Sequence, residues 1–360
     1  MHISDLVIKE LGLTHATELE PFVTINGVTV VELEAAEGHF RVHLVRDSQY
    51  LNVKLEEGSK LAAYYNWLFW HEASTAEKIA IPSAHFKTAF RVTDGEIKHS
   101  AFVTTFQKGT TRPQLGLAEL EQVARQIATL HAVNSRVVTE EFKTAVVENY
   151  GNIKLFRKKM QKDLLGVLEL AMTTEVAQFF VSPQKVLEKV GILTHHLANP
   201  SEEDEAERSE HVITHGSLTA DTCRFNQEGK LVEITEWESI HLGSPVEDLA
   251  NLIISSADIQ TRRKKFMKVF QVYFYALVDL RPPNYQLSDL KRWYWDHQAS
   301  CVVEGIEALL LKLAELPDDG EKRAAAHRWE SALDDSVDFL TGNYVSDDEQ
   351  VFFAHKEEDE

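Results

Sequence analysis

The 360-residue sequence predicts an α+β protein, with a small sheet-rich N-terminal part and a larger, mostly helical C-terminal part. Two observations carry this prediction. Residues 22–57 are rich in β-branched side chains that partly alternate with polar ones, around the turn signal Asn26-Gly27. From residue 115 onward, apolar residues recur mainly at helical spacing, as in the stretch 115–133.

The composition limits the classes of partner. The chain has 37 Lys and Arg against 57 Asp and Glu, so its formal net charge is −20. We expect neither a nucleic-acid nor a membrane partner, because both require clustered cations. The two cysteines, Cys223 and Cys301, are too few for a disulfide framework or a cysteine-based zinc site. No apolar run could span a bilayer and no signal peptide is evident, so a cytoplasmic location is expected, with the nucleus left open.

The first hundred or so residues are predicted to form a small sheet that carries one helix. The stretch QYLNVKLEE continues the strand pattern and contains Lys54, and residues 60–73 have apolar side chains at helical spacing. Residues 102–106, FVTTF, form a short apolar strand that leads into Gln107-Lys108-Gly109.

The rest of the chain is predicted to be helical, except for one segment. Residues 212–235 are interpreted as short strands around a loop, with Glu228-Gly229 as a hairpin turn. The basic run 262–265 is interpreted as a solvated helix start, and the aromatic run 291–298 as a buried seam between helices. The last fifteen residues contain seven carboxylates and are interpreted as a frayed tail, with docking through Val351-Phe352-Phe353 as the alternative. The further helices are predicted near 152–172, 184–197, 245–256, 261–280, 287–315 and 320–341.

One stretch resembles a known family: HGSLTADTCRFNQEGKLVEITEWESIHLGSPVEDLANLI, residues 215–253. In order and spacing it is similar to the catalytic core of the aminoglycoside phosphotransferase and choline kinase superfamily, nearest the ecdysteroid-kinase-like (CHK) branch of nematodes and insects. The resemblance implies a bilobal protein-kinase-like fold. Its N-lobe would be residues 1–108, its helical C-lobe 109–345 with the catalytic-loop segment 212–240, and its acidic tail 346–360.

Three polar positions of this core differ from the family pattern. The family Asp that orients the acceptor hydroxyl is Ser217 here, and a serine hydroxyl is neither charged nor a base near neutral pH. The family Asn that binds the metal through its amide oxygen is Thr222. The family Asp that is the main magnesium ligand is Glu236, one methylene longer, and Mg²⁺ demands near-ideal octahedral geometry.

The positions that shape the loop are kept. The resemblance implies that His215 braces the catalytic loop, that Asp248 ties its backbone together, and that Gly216 and Trp237 are structural. This asymmetry is what we expect of a fold that is retained without its phosphoryl-transfer chemistry.

Lys54 is the candidate for the strand lysine that contacts the nucleotide phosphates in this family. An exposed lysine on an edge strand is an equal alternative. Asn66 stands where a glutamate partner is expected, with Glu72 one turn further on. Only Gly38 represents the glycine-rich loop, so few backbone amides would surround a phosphate.

We interpret the chain as a pseudokinase that acts as a protein-binding, scaffold or regulatory module with a protein partner. The alternative is a divergent kinase that uses ATP and Mg²⁺, the metal being held by Glu236, and phosphorylates a hydroxyl of a sterol, choline or sugar-like acceptor, with Asp221 as a substitute acceptor-site carboxylate. A third hypothesis is a scaffold whose nucleotide cleft is filled by its own side chains.

Overall fold

The structure, a computed structural model, describes most of the chain. The described residues are 3–19, 23–25, 28–47, 85–95, 97–132, 140, 144, 163–198 and 211–344. The predicted helix at 60–73, the candidate Lys54 and the acidic tail lie outside the described residues. Within the described ranges, no helix is long and apolar enough to cross a membrane.

The N-terminal part contains one sheet, in which every described strand pairing is antiparallel. Its order is β1-β3-β4-β6-β5, and β2 also pairs with β3. Both edges of β4 and both edges of β6 are therefore filled by described strands. The strands are β1 (Thr17–Glu18), β2 (Val23–Ile25), β3 (Val28–Ala35), β4 (Gly38–Asp47), β5 (His85–Asp94) and β6 (Ile97–Thr105).

The side chains of β4 alternate between two environments. Phe40, Val42 and Leu44 lie in an apolar cluster with Val31 and Val103 from the neighbouring strands. Arg41 and His43 fall between them in sequence and so lie on the opposite face of the sheet. The apolar face packs against α1 (Ile3–Leu11), and the opposite face is the one that can meet the rest of the protein.

The helix α1 is a feature that the sequence analysis did not predict. Its buried side is small, with Val7 completely inaccessible and Ser4 nearly so. The helix ends at Leu11, and Gly12 follows with φ 63°, a left-handed conformation that suits glycine after a helix. Nine residues with one short apolar stripe give a weak periodic signal, so packing against the sheet decides the conformation.

The C-terminal part is mostly helical, as predicted. Predicted and observed bounds agree to within two residues for every helix beyond residue 183, and 163–171 forms the described part of the helix expected at 152–172. The helices are α2 (Leu117–His131), α3 (163–171), α4 (Pro183–Ala198), α5 (Glu247–Ser256), α6 (Ile259–Leu280), α7 (Leu287–Glu315) and α8 (Asp319–Leu340).

The helix α5 is the centre of this part, since eight of its ten residues are buried.

The packing confirms one expectation and corrects another. The aromatic run 291–298 is a buried seam, in which Tyr294 stacks on Phe266 with ring centroids 4.9 Å apart. The basic run 262–265 is only partly solvated, because Arg262 is buried and pairs with Asp335, 73 residues away.

Between α4 and α5 the chain forms short strands and turns, also as predicted. The strands are β7 (Val212–Thr214), β8 (Cys223–Phe225), β9 (Leu231–Ile234) and β10 (His241–Gly243). The pair β8–β9 is a hairpin whose turn contains Gly229 with φ 77°. The pair β7–β10 brings together the two ends of the catalytic-loop segment.

Candidate functional site

The backbone of the catalytic loop is held by one buried carboxylate. Asp248, at the start of α5, accepts hydrogen bonds from the amide of His215 at 2.8 Å and from the amide of Gly216 at 2.9 Å. Gly216 has φ 84°, and a Cβ atom at this position would lie 2.3 Å from the carbonyl oxygen of Ser239. Glycine is therefore required there by both conformation and space.

His215 is a buried brace within this loop. Its Nε2 lies 2.7 Å from the carbonyl oxygen of Thr235, so Nε2 carries the proton. Its Nδ1 then accepts from the amide of Ser217 at 3.3 Å. The ring lies against Trp237 at 4.5 Å between centroids, and Trp237 donates to the carbonyl oxygen of Ile234 at 2.9 Å. These contacts connect the loop to the segment around Glu236.

The side chain of Ser217 lies at the position where the resemblance places the acceptor-orienting aspartate. Its Oγ is 3.5 Å from His215 Nδ1, which is long for a hydrogen bond. The residue is partly accessible and brings no charge. It can take part in hydrogen bonding to a ligand, but a hydroxyl of ordinary pKa does not accept a proton near neutral pH.

Thr222 uses its hydroxyl within its own turn. Oγ1 donates to the carbonyl oxygen of Thr219 at 2.9 Å and accepts from the amide of Thr219 at 3.0 Å. The residue is buried, and its backbone carbonyl accepts from the amide of Thr235 at 2.8 Å. The hydroxyl therefore closes the turn, which leaves it little capacity to bind a metal ion, and the backbone carbonyl connects the turn to the segment that ends in Glu236.

Glu236 is exposed and has an unusual backbone conformation, φ 62° and ψ 60°. A left-handed residue with a long side chain costs about 1–3 kcal/mol and is often found at functional sites. It is the carboxylate of this segment that could hold a metal ion. Asp221, the alternative acceptor-site carboxylate, instead pairs with Lys312 Nζ at 2.7 Å.

A buried charge cluster, missed by the sequence analysis, connects the sheet to the β8–β9 hairpin. Arg41 of β4 donates to both carboxylate oxygens of Glu233 of β9, at 2.6 and 3.1 Å, and to Glu32 of β3 at 2.8 Å. Its guanidinium also lies 4.3 Å from the centroid of Phe106. Arg224 of β8 lies within 4.0 Å of both glutamates. We call Arg41, Glu32, Glu233 and Arg224 the interlobe cluster.

Burial makes the charges of this cluster strongly interdependent. Side-chain exposure is 5% for Arg41 and 1% for Glu233. Burial alone would lower the pKa of Arg41, but the two glutamates outweigh it and the net pKa is raised. His43 follows Arg41 on the same face, and burial, with the charge of Arg41 as a smaller cause, lowers the pKa of His43 to about 3. His43 is therefore neutral at physiological pH.

The sequence signal for this cluster was the position of its charged residues among apolar ones within the strands. Arg41 stands between Phe40 and Val42, and Glu233 stands in a strand of mostly apolar residues. Charged residues at such positions predict a partner, since unpaired charges are almost never buried. The partners are 192 residues apart, however, so only the fold identifies them.

Metal-binding capacity is low elsewhere in this region. In the part of the chain that the structure describes, no three His, Cys, Asp or Glu side chains are grouped to hold a metal ion. Cys223 lies at the start of β8, and burial raises the pKa of its thiol to about 12, so it stays protonated. Among the described residues, the site therefore presents the exposed carboxylates of Glu236 and Asp221, the latter paired with Lys312, and hydroxyls whose hydrogen bonds are local.

The chain belongs to the family DUF1679, described as "Uncharacterized oxidoreductase dhs-27", whose model matches residues 79–322. That description names an oxidoreductase. The dinucleotide-binding fold common in such enzymes has a parallel sheet and a G-x-G-x-x-G loop. Every pairing between the described strands is antiparallel here, and no two glycines of the sequence are separated by a single residue. No curated protein matches the chain.

Solved structures identify the fold. A Ralstonia eutropha protein described as an aminoglycoside phosphotransferase is similar over 93% of this chain and 98% of its own, with a TM-score of 0.51 and 11% identity. Spectinomycin phosphotransferase APH(9)-Ia, solved with ADP and spectinomycin, is similar over 96% of this chain and 99% of its own, with a TM-score of 0.51 and 10% identity. The chain therefore has the kinase-like fold of these phosphotransferases, with a sheet lobe and a helical lobe.

Proposed function

We propose that this protein is a pseudokinase of the aminoglycoside phosphotransferase and choline kinase superfamily, nearest the CHK branch, that works by binding a protein partner rather than by transferring phosphate. The observation that carries this proposal is the interlobe cluster. Nucleotide in a kinase-type centre must contact the sheet on one side and the metal-binding carboxylate on the other. In this chain Arg41 of the sheet already contacts Glu233, three residues before Glu236.

The residues present do not fit a magnesium-nucleotide complex. Mg²⁺ takes six oxygen ligands in near-octahedral geometry, commonly from carboxylates, amides, waters and phosphates. Here Glu236 is longer than the family aspartate and Thr222 closes its own turn. Any nucleotide between the sheet and the hairpin would also have to separate the buried Arg41 and Glu233 charges, and breaking such a pair costs about 3–5 kcal/mol.

The alternative is a divergent ATP- and Mg²⁺-dependent kinase for a sterol, choline or sugar-like acceptor. It is supported by the exposed carboxylate of Glu236 in a strained backbone conformation, which is a common property of functional sites. It is also supported by the fold, since spectinomycin phosphotransferase is a kinase solved with ADP. Lys54 would then contact the nucleotide phosphates.

The test is a phosphoryl-transfer assay with γ-labelled ATP, Mg²⁺ and pooled sterol, choline and sugar acceptors. Wild type is compared with Ser217→Asp, which restores the family carboxylate, and with Glu236→Ala. We expect no labelled acceptor from any of the three proteins. The substitution Ser217→Asp restores one carboxylate, but it neither separates Arg41 from Glu233 nor changes the metal-binding position Glu236. Labelled product that wild type forms and Glu236→Ala does not form would overturn the pseudokinase proposal in favour of the alternative.

A further inference from the structure

A cavity of about 770 Å³ lies within the helical lobe, and no residue of the catalytic-loop segment 212–240 lines it. Its walls come from the N-terminal ends of α4 and α6, from the middle of α8 and from Gln114. Ser217, Thr222 and Glu236 are not among its lining residues. Ligand sites in proteins commonly have volumes of about 300–1,000 Å³, so the size is that of a small-molecule site.

The walls combine apolar surface with cations. Val186, Ile259 and Ala324 supply apolar surface, and Val181 stands at the wall with 80% of its surface exposed. Such a mixture of apolar area and a few polar groups is typical of ligand sites. The cationic side chains of the walls are those of Lys185, Lys189, Arg263 and Arg328.

The acidic side chains of the walls are already engaged. Asp334 pairs with Lys189 at 2.6 Å, and Asp258 accepts from the amide of Thr261 at 2.9 Å. Glu330 accepts from the amide of Val181 at 3.0 Å, and burial raises the pKa of its carboxyl. Asp258 and Glu330 keep their negative charge, since a neutral amide does not cancel it, but these hydrogen bonds hold both side chains to the backbone.

Among the described residues, Arg328 and Lys185 are the two cations of the walls that are not in an ion pair. Arg263 is paired with Asp335. Arg328 has one hydrogen bond among the described residues, to the amide oxygen of Gln114 at 3.3 Å. Burial lowers the pKa of Arg328, and the charge of Asp221, itself paired with Lys312, opposes this only in part. Lys185 has no ion pair within the described ranges and is exposed at the cavity.

We propose that this cavity binds a small acidic molecule, with a phosphate or carboxylate group held by Arg328 and Lys185 and an apolar body against Val181 and Ile259. The chain has 37 cations and 57 carboxylates, so an anion is repelled at most of its surface, whereas the walls of this cavity carry four cations and three carboxylates. A guanidinium suits both groups, since it can donate two parallel hydrogen bonds to either. The proposal does not depend on whether the kinase cleft is active.

The test is calorimetric titration with three aromatic probes that differ in their polar group: phenyl phosphate, benzoate and benzyl alcohol. Phenyl phosphate, benzoate or both should bind wild type saturably, and the stronger of the two identifies the head group. Benzyl alcohol should bind at least tenfold more weakly. Arg328→Gln should weaken anion binding about 10- to 100-fold, as expected for loss of a charge-assisted hydrogen-bond pair.

Two further variants keep the result interpretable. Val181→Asp changes an exposed side chain, so the fold should persist while a new carboxylate at the cavity weakens anion binding by at least tenfold. Lys268→Gln removes an exposed cation of α6 that does not line the cavity, and should change the affinity less than twofold. The proposal is overturned if neither anion binds saturably, if benzyl alcohol binds equally well, or if Val181→Asp and Lys268→Gln have equal effects.

Discussion

Two sets of residues at and around the catalytic loop are held very differently. His215, Gly216 and Asp248 are joined by buried or nearly buried hydrogen bonds to the backbone. Ser217 and Glu236 are partly or fully accessible, and neither is a carboxylate of family length. The set that shapes the loop is held by contacts within the chain, whereas the set that the resemblance marks as altered is accessible, so the loop keeps its geometry without needing a nucleotide.

The reason is that the shaping contacts are made within the chain. Asp248 satisfies two backbone amides and His215 satisfies one backbone carbonyl, and unsatisfied groups of this kind cost about 1–3 kcal/mol each when buried. The interlobe cluster is likewise formed by contacts within the chain, and these contacts join the two lobes. Substitutions should therefore destabilise the shaping set and the cluster strongly, and the altered positions weakly.

The largest effect is expected in the interlobe cluster. Arg41→Met leaves Glu233 buried without its bidentate partner and should lower the free energy of unfolding by about 3–5 kcal/mol. Arg41→Met combined with Glu233→Met should recover most of this loss, because apolar replacement of both partners of a buried pair is often neutral. Urea unfolding of the two single variants and the double variant measures the coupling. Additive losses would contradict a direct Arg41–Glu233 interaction.

The next effect concerns the carboxylate that holds the loop. Asp248→Asn retains one acceptor oxygen but turns an amide group toward one of the two backbone amides, so the free energy of unfolding should fall by about 2–3 kcal/mol. Ser217→Ala is the matched control within the same loop, and should change stability by less than about 0.5 kcal/mol. Equal changes in the free energy of unfolding for the two substitutions would contradict the distinction between the shaping and altered sets.

The pH dependence of stability tests the lowered pKa of His43. Its folded pKa of about 3 lies below the ordinary value of 6.5, so the unfolded state binds more protons between these two values. The contribution of His43 to the free energy of unfolding is fully present above about pH 6.5. It is lost as the pH falls, by about 2 kcal/mol between pH 6.5 and pH 5. His43→Gln should remove this part of the pH dependence. An unchanged profile would mean that His43 has the same pKa in the folded and unfolded states, which would contradict a lowered folded pKa.

The smallest effect is expected at the strained position. Glu236→Gly relieves the left-handed backbone and should stabilise the protein by up to about 1 kcal/mol, while Glu236→Ala relieves no strain and should not. Thermal melting of the two variants makes the comparison. A loss of stability in Glu236→Gly would indicate that the carboxylate itself makes a stabilising contact.

The sequence predicted the helical lobe well because long amphipathic helices have strong periodic signals. The bounds of α6 and α7 follow from apolar residues repeated over more than five turns, and the 215–253 motif located the catalytic loop. The first lobe was harder, since its strands are short, and α1 has a single apolar stripe that is stable only against the sheet.

Contacts between distant residues could not be predicted. Arg262 was expected in a solvated helix start, but it is buried because Asp335 of α8 reaches it. Arg41 and Glu233 likewise meet only once both lobes are formed. The sequence showed that Thr222 stands at the position of the family Asn, whereas its role in closing the turn with Thr219 required the structure.

The most direct test of the pseudokinase proposal is thermal melting of wild type with and without ATP and Mg²⁺, with Glu236→Ala as the control. A ligand at 100 times its dissociation constant stabilises a protein by about 2.7 kcal/mol, which is a clear shift in Tm. We predict no shift for either protein, because the interlobe cluster occupies the contact between the lobes. A shift in wild type that Glu236→Ala removes would contradict the account, since it would mean that Glu236 holds a magnesium nucleotide in the cleft.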